Sequence, residues 1–315
     1  MHIHKLGQWR HEHNFFVHPE QNEKRTQKVM GLTAVTMVVE IVAGIAFGSM
    51  ALLADGWHMG THTAALAITA FAYVYTRRHA NDPRYSFGTG KVGALGGFAS
   101  AVGLAVVALL VLAESLERAA SPVTIRFDEA IAVAVVGLAV NLASALILRD
   151  SHEHRPDDGR RHHHRHRDHN LRSAYLHVLA DALTSVLAIV ALTAGKHLGW
   201  LWVDPAMGVV GALVIARWSH GLLRETSDVL LDAEVSQVRR EAIRSAIEND
   251  ADTLVADLHV WRVGPRHFAA ILSIVTHVPR PPEHYKDLLS GHPDLVHVTV
   301  EVHRCEGEPC VPCAV

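Results

Sequence analysis

The run Leu52-Leu53-Ala54-Asp55-Gly56-Trp57-His58-Met59-Gly60-Thr61-His62 lies inside a long apolar stretch, yet it carries two imidazoles four residues apart. Positions i and i+4 of a helix stand one above the other on the same face, so His58 and His62 form a two-pronged ligand face. A later apolar run, Leu176-His177-Val178-Leu179-Ala180-Asp181, repeats the device with His177 and Asp181. Two such helices facing each other give a four-ligand metal site of three nitrogens and one carboxylate. That donor set suits zinc, cobalt or nickel and serves magnesium and calcium badly, because those ions take oxygen. Ionisable groups inside an apolar span are costly and mark an ion path by default.

Working outward, six apolar runs lie near 29–49, 51–76, 91–114, 127–148, 172–195 and 201–223. Each is close to the roughly 20 residues that cross a bilayer as a helix. Glycines recur inside them, including Gly44, Gly48, Gly60, Gly103, Gly137, Gly208 and Gly211. Small residues of this kind let helix backbones approach in lipid. Basic residues collect ahead of the first run (Lys24, Arg25, Lys28), after the second (Arg77, Arg78, Arg84, Lys91) and after the fourth (Arg149, Arg155, Arg160, Arg161, Arg165, Arg167, Arg172). The other side has only Arg118, Arg126 and Lys196. The positive-inside rule therefore expects both termini and the basic loops in the cytoplasm, in a multi-pass membrane protein.

Histidine is the compositional anomaly, at 25 of 315 residues. The polar arm 1–28 carries five of them, and the low-complexity loop 149–171 carries seven. The arm and loop read either as solvated spacers or as weak metal-collecting tracts, and a structured fold is not expected in the loop. Formal net charge is −3 and aromatics are 6% of the chain, which excludes a nucleic-acid surface. Cys305, Cys310 and Cys313 are too few and too close to the end for a disulfide framework.

From about residue 225 the period changes. Val235, Val238, Ala242, Ala246 and Ile247 recur at helical spacing after Ser236, a plausible N-cap. Strands are expected over Thr253–Val263, Phe268–Val278 and Val296–His303, with a short helix from Pro281 through Leu289. The order α-β-β-α-β predicts a small two-layer α+β domain. Its core is small, so support from a partner chain is expected. The chain thus divides into a His-rich arm 1–28, a six-helix transmembrane all-α domain 29–223 containing the loop 149–171, an α+β domain 224–304, and a Cys-containing tail 305–315.

Other polar residues fall at depth. Asp55, three residues before His58, is placed to orient an imidazole or accept a proton. Glu40 in the first run and Asn141 in the fourth either bond between helices or line the ion path. In the last domain His259 and Trp261 alternate and so share a face. Cys310-Val311-Pro312-Cys313 is a lone Cys-x-x-Cys, a weak zinc signal.

These residues resemble one family over about 25–305. Ser49 to His62, Tyr175-Leu-His-Val-Leu-Ala-Asp181, Asp257-Leu-His-Val-Trp-Arg-Val263 and His297-Val-Thr-Val-Glu-Val-His-Arg-Cys305 are similar to the cation diffusion facilitators. The resemblance implies six membrane helices, a ferredoxin-like cytoplasmic domain, a homodimer, and exchange of a divalent cation for protons. It implies a central site at His58, His62, His177 and Asp181, with metal as transported substrate and no resident cofactor. Zinc exporters of the family usually carry Asp where this chain has His62. The His-x-x-x-His variant followed by a His-rich loop is similar to the DmeF-type cobalt and nickel exporters. In the family's further loop site, this chain retains Asp82 but has Tyr85 and Thr89 at the other positions. A cytoplasmic metal site is matched in part by His284, Glu301 and His303.

Three functions compete on the residues. A proton-driven exporter of Co2+ or Ni2+, or of Zn2+, follows from ligands that must lose protons to bind metal. A membrane His-box oxygenase would need more boxes, at helix ends, for two irons. A metal sensor or buffer would have no use for ligands at membrane depth. The reading is therefore a transporter and not an enzyme.

Overall fold

The computed structural model describes residues 23–80, 82–150, 165–233, 235–264 and 267–306; the side chains of 23–30, His62, Leu66, Thr69, 145–150 and 165–181 lie outside that description. Most of the arm, residues 151–164 of the His-rich loop, and Cys310 and Cys313 lie outside the described residues. The elements run α1 (Glu23–Phe47), α2 (Met50–Arg78), α3 (Val92–Ala120), α4 (Phe127–Asp150), α5 (Arg165–Leu198), α6 (Val203–Leu230), α7 (Gln237–Glu248), β1 (Leu254–Gly264), β2 (His267–Thr276), α8 (Pro282–Leu288) and β3 (Leu295–Arg304). Two compact units emerge, one helical (18–70 and 97–223) and one holding 71–96 with the chain from Arg224 onward.

In the helical unit, polarity is turned inside out. On α1, Val35, Val38, Val42 and Ile45 are 52–64% exposed, while Thr36, Glu40 and Ala43 are buried. An outward stripe of branched apolar residues is what a lipid-facing helix presents, since lipid tails solvate it and water does not. Among the described residues, three helices are long and apolar enough to cross a membrane: Val92–Ala120, Phe127–Ser144 and Val203–Leu230. Shorter apolar stretches, Gly31–Phe47 and Ala182–Leu198, lie in α1 and α5.

Glycines set the helix spacing. A side chain at Gly44 of α1 would sit 2.8 Å from the Leu53 backbone nitrogen of α2, and one at Gly56 of α2 would sit 2.9 Å from Ile41 of α1. Gly60 meets Met37 in turn, so the seam runs antiparallel. Gly211 of α6 lies against Ala54 of α2 in the same close manner. Each missing Cβ lets two backbones approach and gain dispersion contacts that lipid alone does not supply.

The sheet domain follows the expected order α-β-β-α-β. β2 is central, antiparallel to β1 and parallel to β3, with α8 in the crossover. Val235, Ile243, Ile247, Val260, Leu272, Ile274, Tyr285 and Val300 form its core. The Ser236 hydroxyl caps α7 by accepting from the Arg239 N–H. The predicted apolar face of α7 needs correction: Val238 is 81% exposed and Ala242 is exposed, while Ile243 is fully buried. Ile243 and Ile247 stand four apart and take the core-facing stripe, which leaves Val238 pointing away. β2 also stops short of Val278. Asp252 accepts from the Thr276 hydroxyl (2.6 Å) and the His277 N–H (3.0 Å), diverting the backbone out of the ladder.

One more expectation changes. Residues 165–171, read as loop, are the first two turns of α5. Arg, His, Asp and Leu tolerate a helix well enough to extend one already nucleated by the apolar run.

Candidate metal site

His58 sits in the third turn of α2 and is 4% exposed. Its ring packs at 5.0 Å between centroids against Trp218 of α6, tilted by 54°. Its carbonyl accepts from the Thr61 hydroxyl at 2.7 Å. Buried imidazole in an apolar bundle requires compensation, and here the aromatic face and the adjacent helices supply the walls. Position 62 is on the same helix one turn on, and positions 177 and 181 are on α5. The side chains of His62, His177 and Asp181 lie outside the described residues.

Asp55 is 4% exposed and accepts a hydrogen bond from the Ser185 hydroxyl of α5 across 2.7 Å. Ser185 is four residues beyond Asp181, and Asp55 is three before His58. A direct polar bond therefore ties α2 to α5 within about one turn of positions 58 and 181. Leu52 of α2 and Leu192 of α5 share a buried cluster further along, so the two helices run in opposite directions. Glu40 is fully buried on α1, and Asn141 is half-buried on α4.

The N-terminus of α2 is held from α6. Asp204, 2% exposed, accepts from the Ser49 hydroxyl (2.6 Å) and from the backbone N–H groups of Met50 (2.7 Å) and Ala51 (3.1 Å). Ser49 in turn accepts from the Leu52 N–H. Free N–H groups and the positive end of the helix dipole favour a carboxylate there. The reading of the sequence missed Ser185, Asp204 and Trp218. An Asp-Pro pair opening an apolar helix was the available signal for Asp204; nothing local marks the other two.

The remaining candidates are dispersed. His284 on α8 bonds to Asp250 at 2.7 Å, while Glu301 and His303 lie 3.5 Å apart on β3. Strand alternation turns Val300 to the core and leaves Glu301 and His303 on the opposite, exposed face. α8 packs on the core side through Tyr285, so within one chain His284 does not join them. Among the described residues no three His, Cys, Asp or Glu side chains cluster as a metal site. In the α2–α3 loop, Arg84 binds Asp82 through its side chain and backbone and holds that carboxyl at about 2, well below its usual value. Tyr85 bonds to Tyr75 at 2.6 Å. His259 and Trp261 do share a face: Phe87 stacks edge-on to Trp261 and to His297, which stand in one row across the sheet.

Outward-facing valines, ionisable side chains buried inside apolar helices and a small sheet domain after the last long helix in sequence together define an integral membrane protein of the transporter class. Comparison with known proteins makes this specific. Residues 29–231 match the cation efflux transmembrane domain, and the chain belongs to that family. It is 31% identical to the zinc transporter ZitB of Escherichia coli, over 95% of this chain and 94% of that protein. It is 30% identical to the metal cation efflux system protein CzcD of Cupriavidus metallidurans, over 94% and 91%. It is 26% identical to a cadmium, cobalt and zinc/H(+)-K(+) antiporter of Bacillus subtilis, over 77% and 76%. The fold is that of the family, the relatives are transporters, and metal is cargo here rather than a cofactor.

Proposed function

We propose that this protein exports divalent transition-metal ions in exchange for protons, through a site made by His58 and His62 of α2 with His177 and Asp181 of α5. The Ser185–Asp55 hydrogen bond carries the reading. Stepping away from it along two antiparallel helices, position 58 comes level with 181 and position 62 with 177. The register thus supports one four-ligand site rather than two separate pairs.

The chemistry follows from the ligands. Metal needs neutral imidazoles and an ionised carboxylate, so metal binding expels protons and proton uptake expels metal. Histidine titrates near pH 6.5, where a physiological proton gradient acts. The Bacillus subtilis relative, a cadmium, cobalt and zinc/H(+)-K(+) antiporter, supports the coupling.

Cobalt and nickel are the preferred cargo, with zinc weaker, because three imidazoles keep the site nitrogen-rich and one negative charge poorer than a two-Asp version. Zinc as the principal cargo is the second reading, favoured by the zinc transporter among the relatives. The working unit is a homodimer in the bacterial inner membrane with both termini cytoplasmic. Its divisions are arm 1–28, transmembrane domain 29–223, sheet domain 224–304 and tail 305–315. The His-rich arm and loop gather metal at the cytoplasmic mouth.

The test is flux of Co2+, Ni2+ and Zn2+ into inside-out vesicles, with and without an imposed pH gradient. Uphill accumulation that stops when an ionophore dissipates the gradient is the expected result. Undiminished uphill flux would remove proton coupling from the reading.

A further inference from the structure

Glu40 has no part in the proposed four-ligand site, yet it is a buried carboxyl with both oxygens unpartnered among the described residues. It is 0% exposed. Its surroundings are built around it. Gly137 of α4 lies against Oε1 so closely that any side chain at 137 would collide with the carboxylate. Gly56 of α2 lies against its Cβ. One turn beyond Gly137, on the same face of α4, is Asn141, which carries no charge. On α2 the titratable group facing Glu40 is Asp55, a second acid. α5 meets that acid through the uncharged Ser185 hydroxyl.

Among the described residues, no cation or donor therefore compensates an ionised Glu40. A carboxyl buried in that position is strongly disfavoured as the ion and favoured as the neutral acid. A divalent ion arriving one helical turn below Asp55 changes the balance, because two positive charges in a low-dielectric bundle favour a carboxylate over an acid.

We propose that Glu40 is a proton-binding site of the transport cycle: it holds one proton when the metal site is empty and releases it when metal binds. This rests on the exporter reading above. The balance is simple. The O–H bond at Glu40 breaks, the proton leaves along the bundle, and the metal's charge replaces it. Glu40 does not touch the metal; it is a coupling residue, and Gly137 is the space that admits its carboxyl.

The test uses full-length protein purified in detergent and titrated with cobalt ion alone. Affinity comes from the cobalt absorption band, and proton release comes from calorimetry in buffers of different ionisation enthalpy. Wild type is expected to release protons on binding. Glu40→Gln is expected to bind cobalt within about threefold of wild type and to release about one proton fewer per metal. Glu40→Asp restores the release. Gly137→Ala, which displaces the carboxyl without removing it, lowers the release as well. In vesicles, Glu40→Gln transport becomes less sensitive to the pH gradient than wild type, because the imidazole ligands still exchange protons.

An unchanged proton count in Glu40→Gln, with wild type still releasing protons, overturns the Glu40 proposal alone. Loss of cobalt binding in Glu40→Gln, with a wild-type melting curve, makes Glu40 a ligand and also overturns it. Cobalt binding by wild type without any proton release overturns both this proposal and the antiport reading.

Discussion

Asp204 on α6 closes the first turn of α2, accepting from the Ser49 hydroxyl at 2.6 Å and from two backbone N–H groups beyond it. The helix that bears His58 is thus capped by a residue more than 150 positions away in the chain. The same two helices meet again at Gly211 and Ala54, and at Trp218 and His58.

The first prediction concerns that cap. Asp204→Ala leaves buried N–H groups at the start of α2 without their acceptor, and the expected loss is about 2–4 kcal/mol. Asp204→Asn keeps one acceptor oxygen and loses roughly half of this. Melting temperature in detergent micelles checks the order wild type, Asn, Ala. Equal melting of all three proteins would show that the cap contributes nothing.

The second prediction tests the four-ligand site. His177→Ala and Asp181→Ala are each expected to abolish transport while the protein remains folded and inserted. His62→Asp is expected to raise the ratio of zinc to cobalt flux at fixed pH, with some loss of total activity. A ratio that stays level or falls would separate His62 from selectivity.

A third prediction tests the α1–α2 seam. The Cβ of Gly44→Ala would lie 2.8 Å from the Leu53 backbone nitrogen, and backbone cannot rotate aside. The helices must part, at an expected cost of about 1–3 kcal/mol. Gly31, with open space at its Cβ position, is the control, and Gly31→Ala should melt like wild type.

The fourth prediction is a pH dependence in the sheet domain. Hydrogen bonds from the Thr276 hydroxyl, then from the His277 backbone and ring, hold the Asp252 carboxyl at about 2 instead of 3.8. A carboxyl depressed in the folded state stabilises it above the unfolded value. That stabilisation fades as pH falls from about 4 towards 2. Asp252→Asn should therefore melt lower than wild type at neutral pH, and the gap should close through that window. Melting followed by tryptophan fluorescence reads it, since Trp261 lies in the neighbouring strand. A gap that stays constant with pH would rule out the ionised carboxylate as its cause.

Much of the architecture is local and was therefore legible in the sequence. Apolar runs, strand alternation and the Ser236 cap are set by neighbours within a few residues, through hydrophobic periodicity and backbone hydrogen bonding. So were the i, i+4 pairs at 58 and 62 and at 177 and 181, which depend only on helix pitch. Other features require residues far apart to meet. Val238 and Ile243 have equal claim to the core of α7 by spacing, and only packing against the sheet chose Ile243. The resemblance groups His284 with Glu301 and His303, and only the fold shows His284 bonded to Asp250 on α8 and the other two on the outward face of β3. The bond from Ser185 to Asp55, the capping of α2 by Asp204 and the burial of Glu40 beside Gly137 belong to the tertiary structure alone. A buried polar group must find its partner in three dimensions, or go without one, and no periodicity along the chain records which.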